Sequence, residues 1–512
     1  MNIPKEVKFI ISELEKNGFE SFIVGGCVRD LFNGKEPNDW DVATLAEPKE
    51  IEKIFPENYA NNDFGTVTVR IKKTKDDFFE AEVTPYRIES RYTDKRHPDE
   101  IKWAKSIEED LKRRDFTVNA MALGIRFISS MESQPLGQIY GKGAGGTYPE
   151  EKMKIDIIDL FEGRKDLKSK TIRAVGKAKD RFSEDALRMM RAVRFASTLG
   201  AGWKIEEKTK KAIRENAHLL SVISKERIRD ELMKIIMSER AKQGIELLRE
   251  LDLLKHVIPE LEEGYGVSQN KHHTYEIYDH NLRCLGYASE KGYNKYVRLA
   301  ALLHDIAKPR TKEGEGIDAT FYGHEIEGAK MTRDILRRLK FSGKDIKKVV
   351  TLVRYHLFYY NVDEVSESSV RRLVRNVGYE NIEELLQVRY CDRIGSGCPK
   401  AEPYKLRHLK YLIEKTSHDP ISVKMLAVSG SDVMDILKIF PCSKIGQVLD
   451  ILLGHVLSYP KKNKKDVLIK EIKHLGKLKD EELKDLAEKS RKETQEVEMK
   501  MDFMTKKKYW VS

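Results

Sequence analysis

Apolar and polar positions alternate in the first part of the chain and fall into helical spacing in the rest. Phe64-Gly65-Thr66-Val67-Thr68-Val69-Arg70-Ile71 and Phe79-Glu80-Ala81-Glu82-Val83-Thr84 each repeat with period two, which predicts strands. Ser21-Phe22-Ile23-Val24 predicts a further strand, ended by Gly25-Gly26. A helix is expected from Ile3 to Lys16 and another from near Cys27. Downstream, Ile228, Leu232, Ile235 and Ile236 form one helical stripe, and helices are expected over 447–457 and 465–475. From Asp480 the chain reads as a charged helix or a frayed tail. The class is therefore α+β: a sheet-bearing head followed by helices.

A chain of 512 residues is too long for one core. Four segments are expected: 1–170, 171–262, 263–400 and 401–512. Composition is that of a globular protein, with 40% hydrophobic and 35% charged residues. The net charge of +11 favours a polyanionic partner without naming it. No run of eighteen apolar residues occurs, and the N-terminus leads straight into an amphipathic helix, so neither a membrane span nor a signal peptide is expected. Five scattered cysteines suit a reducing cytoplasm rather than a disulfide framework.

The candidate chemistry begins at Gly25-Gly26-Cys27-Val28-Arg29-Asp30 and Asn38-Asp39-Trp40-Asp41. On a strand, Asp39 and Asp41 project to the same side, a pairing suited to Mg²⁺ with nucleotide phosphates completing the shell. Gly25 and Gly26 let backbone N–H groups approach those phosphates. Asp-x-Asp alone is common; the glycine turn ahead of it strengthens the reading. Glu82 is a candidate third carboxylate, or else part of a solvated strand face. Arg91–Pro98 reads as a mobile loop. Beyond it, Arg113 and Arg114 stand beside Asp115 and Asn119, either as triphosphate ligands or as part of a charged helix. A helix is expected over Ser183–Phe195, with Asp185, Arg188, Arg191 and Arg194 in one row. Such a row can read the hydrogen-bonding edge of a base, or it is a salt-bridge stripe.

Gly-Gly-x-Val-Arg-Asp, Asp-x-Asp, Glu-Val-Thr-x-Tyr-Arg and Arg-Arg-Asp-Phe-Thr-x-Asn-Ala, in this order, resemble the class II nucleotidyltransferases, the tRNA nucleotidyltransferases and bacterial poly(A) polymerases. The resemblance implies a small mixed sheet flanked by helices, two catalytic Mg²⁺ ions on Asp39 and Asp41, and nucleotide contacts from Gly26, Arg29 and Arg114. Glu-Asp-x-Leu-Arg-x-x-Arg resembles the family's nucleotide-selecting helix. It implies that Asp185 and Arg188 choose ATP and CTP, with Arg191 and Arg194 at further nucleotide contacts. One departure stands out. Where a short link is expected there is an insertion over about 126–153, including Gly141-Lys142-Gly143-Ala144-Gly145-Gly146.

Asp279-His280, His304-Asp305, His324, His356 and Asp392 follow one another on successive predicted helices, an arrangement able to converge on a divalent metal. The series resembles the HD phosphohydrolases. The resemblance implies core ligands His280, His304, Asp305 and Asp392 and extra histidines His324 and His356. It also implies hydrolysis at nucleotide or RNA 3′ ends using a transition metal or Mg²⁺, with His324, His356 or Lys308 aiding charge neutralisation. His272 and His273 have no place in the pattern and read as loop residues. Residues 426–446 resemble the RNA-contacting C-terminal region of the nucleotidyltransferases, and Lys461–Lys465 is either a phosphate contact or a solvated run.

The expected activity is template-independent addition of C and A from CTP and ATP to a tRNA 3′ end. A poly(A) polymerase, or an enzyme adding only CC or only A, stays open. So do, from other classes, a phosphohydrolase with an RNA-binding head and an RNA-binding protein without turnover.

Overall fold

The computed structural model describes residues 2–61, 65–74, 77–90, 100–127, 153–270, 274–362, 364–417 and 423–511. The expected loop 91–98, the glycine-rich stretch 141–146, and His272 and His273 lie outside the described residues. Contacts divide the chain into two compact units, 1–354 with 394–397 and 355–393 with 398–512, a coarser division than four segments.

The first unit opens with α1 (Lys5–Lys16), β1 (Ser21–Val24), α2 (Gly26–Phe32), β2 (Asp41–Thr44), α3 (Pro48–Ile54), β3 (Asn58–Asn61), β4 (Thr66–Lys72), β5 (Phe78–Pro85), β6 (Arg87–Ser90), β7 (Glu100–Trp103), α4 (Ile107–Lys112), β8 (Ala122–Phe127) and β9 (Met153–Ile158). Seven strands form one sheet in the order β3-β4-β5-β2-β1-β8-β9. Only β2 and β5 run parallel, so the sheet is mixed. Phe22, Val24, Ala43 and Ala122 pack with Ile107 and Leu111 of α4, and Ile23 and Val42 are buried as well. A strand buried on both faces reads as a continuous apolar run, as Phe22-Ile23-Val24 does.

Register explains why chemistry gathers at one end of this sheet. Val24 pairs with Asp41 in the antiparallel β1–β2 ladder, so the glycine turn leaves β1 beside the first residue of β2. Asp41 pairs with Glu82 in the parallel ladder. Val24 also pairs with Ala122, which draws in the segment just ahead of β8, including Arg114 and Asn119. The insertion enters and leaves at the open end of the β8–β9 hairpin, where Phe127 faces Met153.

The chain continues through α5 (Gly163–Lys168), β10 (Thr171–Ile172), α6 (Ala178–Glu184), α7 (Leu187–Thr198), β11 (Lys204–Ile205), α8 (Glu207–Asn216), α9 (Lys225–Ile236), α10 (Ala241–Glu250), α11 (Leu254–Val257) and α12 (Pro259–Glu262). There follow α13 (Ile277–Glu290), α14 (Lys295–Leu303), α15 (His324–Arg338) and α16 (Gly343–Tyr355). One expectation fails here: no single helix spans 183–195. Asp185 is extended (φ −135°, ψ 104°) between α6 and α7, and its Oδ1 accepts from the Leu187 N–H at 3.0 Å. An aspartate that bonds the backbone ahead of it competes with helix continuation.

The second unit carries α17 (Glu367–Val377), α18 (Ile382–Gly395, whose last two residues belong to the first unit), α19 (Tyr404–Ser417), α20 (Gly430–Leu437), α21 (Ser443–Ser458), α22 (Lys465–Leu475) and α23 (Asp480–Tyr509). Its core joins Val433, Val448, Leu452, Leu468, Ile472 and Leu483. Lys465, at the end of the lysine run, pairs with Asp432 at 3.0 Å. Among the described residues no helix is long and apolar enough to cross a membrane.

Candidate active site

A cavity of about 660 Å³ opens at the sheet end where the glycine turn, β2 and the segment before β8 meet. Asp39 and Asp41 line it from one side and Asp185, Arg188, Arg191 and Arg194 from another, with Gly25, Gly26, Arg29 and Arg114 between them. Asp39 lies two residues ahead of β2 rather than on it. The alternation nonetheless extends back: Trp40 is buried between the two aspartates, and its carbonyl accepts from the Glu82 N–H at 2.9 Å. Glu82 is solvent-exposed beside Asp41 and is not part of the cavity lining.

Gly25 shows why a glycine stands here. Its φ is +78°, and a Cβ would lie 3.0 Å from both Arg114 Nη1 and Asp41 Oδ2. A side chain would therefore meet a strained backbone and the two charged groups the turn brings together.

Arg29, Arg113, Arg114, Arg188, Arg191 and Arg194 are each oriented by an acid or an amide. Arg29 donates to Asp30 and, at 2.9 Å, to Asn119 Oδ1. Arg113 and Arg114 pair with the buried Asp110 at 2.7 and 2.9 Å. Arg188 pairs with Glu184 at 2.8 Å, Arg191 with Asp115 at 2.6 Å and Arg194 with Glu231 at 2.7 Å. Only Arg188 has its carboxylate on the adjoining turn, so the row is more than a stripe along one helix. The guanidinium of Arg194 lies 4.1 Å from the Phe195 ring centre, and those of Arg29 and Arg191 lie 5.5 Å from it. Asp185 is held at both oxygens, Oδ1 by Leu187 N–H and Oδ2 by Arg227 at 2.7 Å.

Electrostatics divide the two acidic groups. Burial pushes the Asp41 carboxyl up to about 6 against the pull of Arg114, with Glu82 and Asp39 adding to the rise. Burial also opposes ionisation of Asp115, but Arg191 and Arg188 hold it down at about 2. Crowded oxygen donors facing an arginine-lined cavity fit hard divalent cations, whose charge would relieve the repulsion around Asp41. Arg87, Arg227 and Phe195 also line the cavity and were not read from the sequence as site residues. Their positions depend on packing between elements, which no local pattern displays.

A second cluster is fully buried in the first unit. His280 on α13, His304 at the end of α14, Asp305 and His324 at the start of α15 converge. Asp305 Oδ2 lies 3.3 Å from His280 Nε2 and 3.3 Å from His304 Nε2, and Oδ1 lies 3.5 Å from His324 Nε2. The Nδ1 atoms of His304 and His324 face the carbonyls of Ala301 (3.0 Å) and Phe321 (2.6 Å). Nδ1–H donation to a carbonyl leaves Nε2 as a lone-pair donor, the form that binds metals. Lys308 Nζ is 2.6 Å from Asp305 Oδ2 and 2.7 Å from Gln269 Oε1. Burial opposes the Asp305 charge, yet His304 and Lys308 hold its carboxyl well below the usual carboxylate range. These donors fit a divalent transition metal. His356 follows α16 and Asp392 lies on α18, both within the second unit, where Asp392 pairs with Arg389 at 2.6 Å. Cys284 belongs with the buried cluster and was missed: its Sγ is 3.6 Å from His280 Nε2. The signal was its position four residues after His280.

Known proteins share this layout. Residues 21–173 match the poly A polymerase head domain, 202–264 the probable RNA and SrmB-binding site of polymerase A, and 277–395 the HD domain. The CCA-adding enzyme of Enterococcus faecalis (strain ATCC 700802 / V583) is 32% identical over 473 residues, covering 91% of this chain and 94% of that protein. The chain belongs to the CCA-adding enzyme family. A family member from Lactococcus lactis subsp. cremoris (strain MG1363) is 43% identical over 249 residues. That match covers 48% of this chain and spans about half, 54%, of the relative's length. The crystal structure of the Bacillus stearothermophilus CCA-adding enzyme in complex with CTP aligns with a TM-score of 0.54 at 27% identity, covering 93% of this chain and 98% of that one. Nucleotidyltransferase and HD domains of these kinds use divalent metals.

Proposed function

We propose that this protein adds C and A nucleotides from CTP and ATP to the 3′ end of tRNA without a template. The observation that carries the reading is the shared cavity. The paired acids and the Asp185–Arg188 group face one space large enough for a nucleoside triphosphate.

Mg²⁺ held by Asp39 and Asp41, with Glu82 alongside, would supply activation of the RNA 3′-hydroxyl and neutralisation of the triphosphate. Arg114 and Arg29 border the same acids and present guanidinium forks to phosphate oxygens. The backbone at Gly25 and Gly26 allows close approach of the phosphates. Asp185 accepts from an exocyclic amine, and Arg188 donates to a ring nitrogen or carbonyl oxygen, which favours cytosine and adenine edges. Arg191 and Arg194, fixed by Asp115 and Glu231, keep the base-facing wall rigid. The basic excess of the chain suits an RNA partner.

The test is incubation with a tRNA lacking its terminus and all four nucleoside triphosphates, followed by sequencing of the products. Addition of CCA is expected. A homopolymer of A, or stopping after CC, would replace this reading with a related one, and incorporation of G or U would overturn the role given to Asp185 and Arg188.

A second activity is favoured by the buried cluster. His280, His304, Asp305 and His324 within one unit support hydrolysis of phosphate esters at nucleotide or RNA 3′ ends. Release of phosphate from a 3′-phosphorylated nucleotide, lost in a His304→Ala/Asp305→Ala variant, tests it.

A further inference from the structure

The buried histidine cluster contains one donor of a different chemical kind. Cys284 follows His280 by four residues on α13, so both side chains leave the same face of the helix. Both are completely buried. The Cys284 sulfur and the ring nitrogens of His280 and His304 lie within 4.8 Å of one another. The glycine at 395 closes over the sulfur: a Cβ there would fall 2.3 Å from Sγ, so the thiol is confined on that side.

The spacings can be compared with a coordination polyhedron. Zinc binds thiolate at about 2.3 Å, imidazole at about 2.0–2.1 Å and carboxylate oxygen at about 2.0–2.2 Å. A regular tetrahedron built on those bonds has sulfur–nitrogen edges of about 3.6 Å and nitrogen–nitrogen or nitrogen–oxygen edges of about 3.3–3.4 Å. The cluster shows 3.6 Å from Cys284 Sγ to His280 Nε2, 3.1 Å between the two Nε2 atoms, and 3.3 Å from each to Asp305 Oδ2. Cys284, His280 and His304 thus stand close enough to share one ion, with Asp305 adjoining the two histidines.

We propose that Cys284 supplies a thiolate to the metal centre formed with His280 and His304, beside Asp305, so that this centre takes a borderline-soft ion, zinc, in preference to magnesium. The proposal rests on the reading of this cluster as a metal site. Thiolate and imidazole donors favour Zn²⁺ over the oxygen-seeking Mg²⁺ that suits the paired aspartates of the head. On loading, the sulfur–metal bond forms and the thiol proton leaves to solvent. The alternative geometry is a thiol that only donates weakly to the His280 ring.

The experiment uses the full-length protein with one equivalent of zinc, in excess Mg²⁺ to occupy oxygen-only sites. X-ray absorption at the zinc edge is expected to show one sulfur neighbour at about 2.3 Å. A shell of nitrogen and oxygen alone overturns the proposal, and so does failure to retain stoichiometric zinc. Cobalt loading gives a second readout: a near-ultraviolet thiolate-to-metal charge-transfer band, removed by Cys284→Ser with a fall in zinc affinity of at least about tenfold. Thermal melts of the metal-free variant report whether it folds, and the wild-type absorption spectrum decides the question if it does not. Hydrolysis of 3′-phosphorylated nucleotides is assayed separately. Zinc bound through sulfur without hydrolysis supports Cys284 and removes the phosphohydrolase reading. Hydrolysis with an all-nitrogen-and-oxygen shell does the reverse.

Discussion

The head cavity and the buried histidine cluster are both candidate metal sites, and they solve the charge problem in opposite ways. The head crowds carboxylates at an opening and surrounds them with arginines, most of them pinned by an acid or amide. The cluster is buried and relies on imidazoles, two of which direct Nδ1 to a backbone carbonyl and Nε2 towards the shared carboxylate. The first arrangement suits a highly charged, exchangeable ligand; the second suits a resident ion. In the open site the acid partners fix the arginines in place beside Asp41.

The largest expected effect separates the two sites outright. Asp41→Ala should lower nucleotide incorporation by about a thousandfold or more, about 4 kcal/mol of lost transition-state stabilisation, with an unchanged melting profile. Retained incorporation would break the contrast. Conversely, His304→Ala/Asp305→Ala should abolish transition-metal retention while incorporation stays within about twofold, since the sites share no ligands. Next is the scaffold behind the arginine row. Asp115→Ala should cost about 1.5–3 kcal/mol of stability in denaturant titration, because it removes the charged partner of the partly exposed Arg191. The Asp115 contribution is present above the unfolded carboxylate pKa and should be lost as pH falls from about 4 towards 2. Asp185→Asn should change CTP and ATP preference over UTP and GTP by about 10–100-fold in competition assays. The smallest effect is graded. Mg²⁺ binding needs ionised Asp41, whose pKa is pushed up to about 6, so Mg²⁺ affinity should fall about tenfold for each pH unit below that value. The cluster, where Asp305 is held low, should show no such limb from its carboxylate.

Much of this was legible from residue order. Period-two runs located β4 and β5, and the glycine turn with Asp39 and Asp41 marked the cavity floor. What pattern could not show was set by tertiary partners. Asp185 was expected inside a helix because its neighbours have helical spacing, yet its side chain bonds the Leu187 N–H and Arg227, and the helix starts after it. Arg191 and Arg194 were expected as a row, but their carboxylates come from residues 115 and 231, distant in sequence. Cys284 was grouped with scattered thiols because a single cysteine carries no motif; its place four residues after His280 was the one hint, and its closeness to the His280 ring distinguishes it.

The hairpin of β8 and β9 has a practical corollary. Its ladder stays in register from Ala122↔Ile158 out to Phe127↔Met153, with β9 at the margin of the sheet, while the Ala122 end adjoins β1 and the glycine turn. The two strand ends that flank residues 128–152 thus lie at the end of the ladder away from the glycine turn. That junction is the natural place to graft a fluorophore tag or an affinity handle, or to shorten the polypeptide for crystallisation.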